Sequence, residues 1–185
     1  MSKYVQEQLK PGYTGLFVVQ LHDATSTHWD LRLEFPVESL KESLTSYTVI
    51  REHASEEPKK KVYPDKPGSV LRSWAVPKHR LPGLKPILAT ETEDHDFNYK
   101  DFEGVIPEGQ YGAGTVEIYD HGKFEFVDVE YDKKYVVDFK GNKIKGLYAL
   151  IKTKGKKFLW IKVKHKDKYS FQERILKVAS DILGY

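Results

Sequence analysis

Residues 28–35 alternate without a break. Trp29, Leu31, Leu33 and Phe35 are apolar, and His28, Asp30, Arg32 and Glu34 are polar or charged. Successive side chains of a β-strand leave opposite faces, so this pattern predicts a strand with one apolar face and one ionisable face. Phe17–His22 is β-branched and aromatic and predicts a strand before it, with Asp23-Ala24-Thr25-Ser26-Thr27 as the turn. Pairing of the two as a hairpin brings His22 close to His28. Further strands are expected at 71–76, 87–94, 115–119, 123–127, 134–140, 143–153 and 158–165, with turns at Asp120-His121-Gly122 and Gly141-Asn142. Helical spacing occurs after Pro36 (Val37, Leu40, Leu44) and over 169–183, where Phe171, Ile175, Val178, Ala179 and Ile182 form one stripe. Residues 1–15, broken by Pro11, Gly12 and Gly15, read as a flexible arm, and the charged, proline-rich 51–68 as an exposed loop.

The expected fold is mainly β: one domain over 1–185 built on a closed or nearly closed antiparallel barrel of about eight strands. A short helix would follow the first hairpin, and an amphipathic helix would end the chain. In such a barrel an inward polar face on one strand would put the functional groups inside its mouth.

Composition narrows the chemistry. The 185 residues include no Cys, which excludes a disulfide framework, a zinc–thiolate site and a thiol nucleophile. The start MSKYVQEQLK lacks an apolar core and no apolar run approaches membrane length, so a soluble, cytoplasmic protein with no membrane partner is expected. The net charge of +3 is small but segregated: residues 91–132 hold thirteen Asp and Glu against two Lys, and 133–168 hold thirteen Lys against two Asp. A basic face of that kind attracts phosphate backbones; equally, lysines on outward strand positions keep sheet edges soluble.

Two imidazoles and one carboxylate at His22, His28 and Asp30 form a candidate metal site, with positions left open for water and substrate. Arg32, one same-face step beyond Asp30, is within reach of an oxyanion there. The competing reading is polar residues at a hairpin rim and an Asp30–Arg32 surface ion pair. GQYGAG (109–114) is not a nucleotide-binding loop, because it lacks the Lys-Ser/Thr of a P-loop and no helix follows.

Three blocks, QLHDATSTHWDLRLE (20–34), SWAVPK (73–78) and EDHDFNYKDFEGVIPEGQYGAGTV (93–116), closely resemble the 3′-phosphoesterase module of the DNA ligase D family, in that family's order. The resemblance implies a β-barrel core. It also implies an activity that removes a 3′-phosphate, and a 3′-terminal ribonucleoside in a preceding step, from primer–template ends during double-strand break repair. Mn²⁺ is the implied metal, although His/His/Asp would also take Zn²⁺ or Co²⁺.

By the same resemblance His95 and Tyr99 contact the scissile phosphate beside Arg32, with His95 protonated. Glu93 orients a site residue, and Lys78 adds positive charge at the rim. A DNA ligase or polymerase acting in trans is the implied partner of a monomer. The chain departs from the pattern at Ile87, where relatives carry a basic residue; Lys85 shares its strand parity. Residues 36–70 are a long insertion relative to the family. Two other function classes fit the residues alone. One is a non-catalytic nucleic-acid-binding barrel, which would tolerate loss of His22. The other is a cupin-like metal oxygenase, which would need Fe(II) and a small cosubstrate.

Overall fold

The computed structural model describes residues 3–38, 68–77, 81–83 and 85–163. Ten strands run through them: β1 (Thr14–Asp23), β2 (Thr27–Val37), β3 (Gly68–Pro77), β4 (Ile87–Glu91), β5 (His95–Asp96), β6 (Gly104–Ile106), β7 (Gly114–Glu130), β8 (Lys134–Lys140), β9 (Lys145–Lys154) and β10 (Lys157–Lys162). A short helix, α1 (Lys3–Gln8), precedes them, and a 3₁₀ turn spans Phe97–Asp101. Strands bond in the order β1-β2-β3-β4-β10-β9-β8-β7, and β7 pairs back onto β1. Eight antiparallel strands therefore close into a barrel. The two extra strands are laid on it, β5 against β3 and β6 against β7.

The alternation in β2 decides what fills the barrel. Leu31, Leu33 and Phe35 face inward with Phe17, Trp74, Phe124, Phe126, Tyr135, Phe139 and Trp160, all buried. The rings interlock edge to face, Phe17 on Phe139 at 4.8 Å and Phe35 on Tyr135 at 5.3 Å. An interior of eight strands is just wide enough for such side chains. The ionisable row of β2 therefore lies on the outer wall, not in the barrel mouth as the pattern alone led us to expect.

Three further expectations change. Residues 114–130 form one strand, with no turn at Asp120-His121-Gly122. The register against β1 slips there instead, between Val19 and Gln20. The Asp120 carboxylate accepts from the backbone N–H groups of Asn142, Lys143 and Ile144, tying the β8–β9 connection to the barrel. The segment read as a loose arm carries α1 and is docked: Leu9 is buried, Gly12 N–H donates to Phe126 O, and Tyr13 stacks on Phe126. Pro36 and Val37 continue β2 rather than opening a helix. The remainder of that helix, the loop 51–67, Lys78 and the helix over 169–183 lie outside the described residues.

The charge blocks end up paired across strands. Lys134 meets Asp128, Lys140 meets Glu125, and Lys152 meets Asp132. Acidic β7 lies beside basic β8, so part of the expected basic face is neutralised within the fold. Among the described residues, no helix is long and apolar enough to cross a membrane.

Candidate metal and phosphate site

On the outer wall the β1–β2 register sets His22 opposite His28 and Gln20 opposite Asp30. The two imidazole rings lie 4.8 Å apart. His22 Nδ1 is 3.6 Å from Asp30 Oδ2, and His28 Nε2 is 3.5 Å from Asp30 Oδ1. Among the described residues these three are the group that could hold a metal ion.

The opposite nitrogens are engaged by backbone. His22 Nε2 lies 2.7 Å from the Gly112 carbonyl, and His28 Nδ1 lies 2.8 Å from the Ser26 carbonyl. A carbonyl only accepts, so these two nitrogens carry the protons and the lone pairs of His22 Nδ1 and His28 Nε2 face Asp30. Orienting a ligand imidazole through its other N–H is how proteins prepare it for a metal, and the donor set fits a divalent ion. Burial disfavours the Asp30 carboxylate, but Arg32 and the two histidines outweigh it and hold its pKa at about 2. Uptake of a second proton at Nδ1 would let His22 donate to Asp30, and this raises the His22 pKa against its burial.

Arg32 is 3% exposed and bridges the site. Its Nη2 donates to Asp30 Oδ2 at 2.9 Å, Nε to Gln20 Oε1 at 2.7 Å and Nη1 to Ser73 Oγ at 2.8 Å. Nη1 also lies 3.0 Å from His95 Nδ1. The guanidinium sits over the Tyr99 ring at 4.8 Å. His95 Nδ1 is 2.8 Å from the Glu93 carbonyl. Burial, then the Arg32 charge, push the His95 pKa down to about 3, so its ring is neutral here and not protonated as the resemblance implied. Burial also raises the Tyr99 hydroxyl.

Residues 95–113 roof this wall. The Gln20 amide donates to the carbonyls of Tyr99 and Phe102, both at 3.0 Å, pinning the 3₁₀ turn over Arg32. Gly112, at φ +75°, delivers the carbonyl that takes His22. At Gly114 a side chain would lie 2.0 Å from the Asp23 carbonyl, so this crossing of β7 over the hairpin end admits only glycine. A strand, not a helix, follows the glycine loop, in line with its rejection as a nucleotide-binding loop.

The structure thus gathers His22, His28, Asp30, Arg32, His95 and Tyr99. Glu93 serves through its main-chain carbonyl. Ile87 points into the core, and β4 begins there, so the exposed Lys85 precedes the strand. Sequence reasoning missed Gln20 and Ser73. Both had a signal, since Gln20 shares the parity of His22 and Ser73 opens SWAVPK.

Next to Ser73, Arg72 turns the other way, into the barrel. It donates to the Tyr135 hydroxyl at 2.8 Å, pairs with Glu91 and packs against the rings of Phe35 and Trp74. Burial, opposed by Arg72, pushes the neighbouring Asp94 carboxyl up to about 6.

Fold and site together define an eight-stranded β-barrel protein with a His/His/Asp cluster and a buried arginine on its outer wall. Residues 66–152 match the family model described as DNA Ligase D 3′-phosphoesterase domain. The chain is 42% identical over 167 residues to the multifunctional non-homologous end joining DNA repair protein LigD of Mycobacterium tuberculosis, covering 87% of this chain and 18% of that protein. It is 36% identical over 165 residues to the multifunctional non-homologous end joining protein LigD of Pseudomonas aeruginosa, covering 83% and 16%. The chain therefore belongs to the 3′-phosphoesterase domain family of DNA ligase D, and it spans less than a fifth of the length of these relatives.

Proposed function

We propose that this protein is a divalent-metal-dependent phosphoesterase that heals DNA 3′ ends. It removes 3′-phosphates, and 3′-terminal ribonucleosides, from primer–template ends and leaves a 3′-hydroxyl for ligation in non-homologous end joining. The observation that carries this reading is the pair of imidazoles, each donating one N–H to a carbonyl and aiming its other nitrogen at Asp30. Family membership supports the reaction class, and the names of the relatives support the repair setting.

Mn²⁺ is the ion we assign to His22, His28 and Asp30, with Zn²⁺ and Co²⁺ as chemically acceptable substitutes. When bound, such an ion supplies Lewis acidity toward a phosphoryl oxygen and lowers the pKa of a water. The chain's own groups do the rest. Arg32 keeps Asp30 ionised and places fixed positive charge beside the phosphoryl group. The anionic substrate offsets the Arg32 charge felt by His95, so His95 gains basicity as substrate arrives and can hand a proton to the leaving oxygen. Tyr99 fixes the plane of the guanidinium and borders the phosphate. For Lys78, outside the described residues, the family resemblance supports an added positive charge. No covalent nucleophile is required. A DNA ligase or polymerase supplied in trans would use the product, and the protein would act as a monomer.

The test is a 5′-labelled primer–template bearing a 3′-phosphate, incubated with and without Mn²⁺, beside His22→Ala. Metal-dependent conversion to a 3′-hydroxyl that His22→Ala abolishes is the expected result. Tight binding without conversion over several divalent metals would replace this reading with that of a non-catalytic DNA binder.

A further inference from the structure

The outer wall does not end at the cluster. Across the register Asp30 faces Ala75 and His28 faces Pro77 on β3, and Ala75 in turn faces Thr90 on β4. Ile87 and Ala89 are in the core, so Leu88 and Thr90 point outward on the same side as Asp30. Here the wall is hollowed into a groove of about 750 Å³, lined by Thr27, His28, Ala75, Pro77, Leu88 and Thr90 among others. His28 belongs both to the cluster and to the groove. Apart from His28, no titratable side chain among the described residues lines it.

Its chemistry differs from that of the cluster it adjoins. Ala75 and Pro77 are small and apolar, Leu88 is 41% exposed, and Thr27 and Thr90 also line the groove. Leu88, Ala75 and Pro77 together give the groove an apolar surface next to polar groups at the cluster, the combination that ligand sites use. The roofed side of the site is closed by the Gln20 bonds to the 3₁₀ turn and by the His22–Gly112 bond. The groove adjoins the cluster at His28, on the side away from that roof, and offers a path toward β3 and β4 for a molecule held there by its phosphate.

We infer that this groove seats the sugar and base of the terminal nucleotide, unstacked from the DNA end, while its phosphate lies at the cluster. The inference rests on the reading of His22, His28 and Asp30 as the phosphate centre. The described lining, which apart from His28 carries no ionisable group, takes the neutral part of the nucleotide: Leu88 packs on the face of the base and Thr90 borders it, while the Thr27 hydroxyl is held by Asp23. Such a seat accepts any base, because every base has an apolar face.

The experiment uses the full chain and primer–template DNA with 2-aminopurine as the 3′-terminal base, whose emission rises when it leaves the duplex stack. The rise on binding should be present with the wild-type protein, lost with Leu88→Glu and kept with Leu88→Met. The kcat/KM ratio for a 3′-phosphorylated oligonucleotide over 4-nitrophenyl phosphate should fall about tenfold in Leu88→Glu, the worth of one apolar contact. Hydrolysis by the wild type without any emission change, or an equal fall on both substrates, overturns the groove and leaves the phosphoesterase reading standing. An emission change lost in Leu88→Glu with no hydrolysis by the wild type keeps the nucleoside seat and overturns the reaction. No binding of the DNA overturns both.

Discussion

Arg32 Nη1 lies 3.0 Å from His95 Nδ1. Two groups that sequence reasoning assigned in parallel to the same phosphate are in contact with each other, and the permanent charge of one lowers the basicity of the other. With burial added, His95 is held at about 3, far below an ordinary imidazole. In ¹⁵N spectra of the ligand-free protein, His95 should stay neutral at pH 6, and inorganic phosphate should raise its pKa. A His95 ring already charged at pH 6 without ligand would contradict this account.

Arg32 satisfies Asp30, Gln20 and Ser73 at once, so its removal leaves a buried carboxylate without its cation. Arg32→Ala should cost about 3–5 kcal/mol of stability, seen as a lower denaturation midpoint. Arg32→Lys keeps the charge but loses the planar fork, and should retain most of the fold and the metal while losing turnover. Unchanged stability in Arg32→Ala would mean that the network is not closed in solution.

Metal content discriminates the outer-wall cluster from a plain hairpin rim. Asp30→Asn and His28→Ala should each lower Mn²⁺ affinity at least tenfold, measured by titration calorimetry, and chelation should lower the denaturation midpoint of the wild type. Midpoints that ignore both metal and chelator would return these residues to a structural role.

Asp94, in the connection between β4 and β5 and within the field of Arg72, provides a pH test. Its carboxyl titrates at about 6, against about 4 in the unfolded chain. A raised carboxyl pKa contributes stability below the unfolded value, and that contribution is lost as pH rises through 6. Asp94→Asn, neutral at every pH, should match the wild type near pH 4 and exceed its stability at pH 8, by up to about 3 kcal/mol. Equal loss at both pH values would mean that Asp94 acts as an ionised partner of Arg72.

Several features were legible because they are properties of single strands. The alternation at 28–35, the hairpin turn at 23–27, the β8 limits at 134–140 and the His22–His28 apposition depend on local propensity and on a side-chain period of two. The turn expected at Asp120-His121-Gly122 failed because its residues serve a distant partner. Asp120 binds the β8–β9 connection, and β7 continues because β1 and β8 flank it.

The sequence by itself therefore determined that β2 has an apolar face and an ionisable face, and which residues stand on each. Only the tertiary structure decided which face looks inward. A closed barrel of eight strands has room for interlocked rings and not for a solvated metal cluster, so the ionisable face went outside. It was buried there by a separate segment, 95–113, whose carbonyls at Gly112, Tyr99 and Phe102 orient His22 and Gln20. Main-chain carbonyls carry no residue identity. What they select, the imidazole nitrogen turned toward Asp30 and the direction of the Gln20 amide, became visible only when the chain closed on itself.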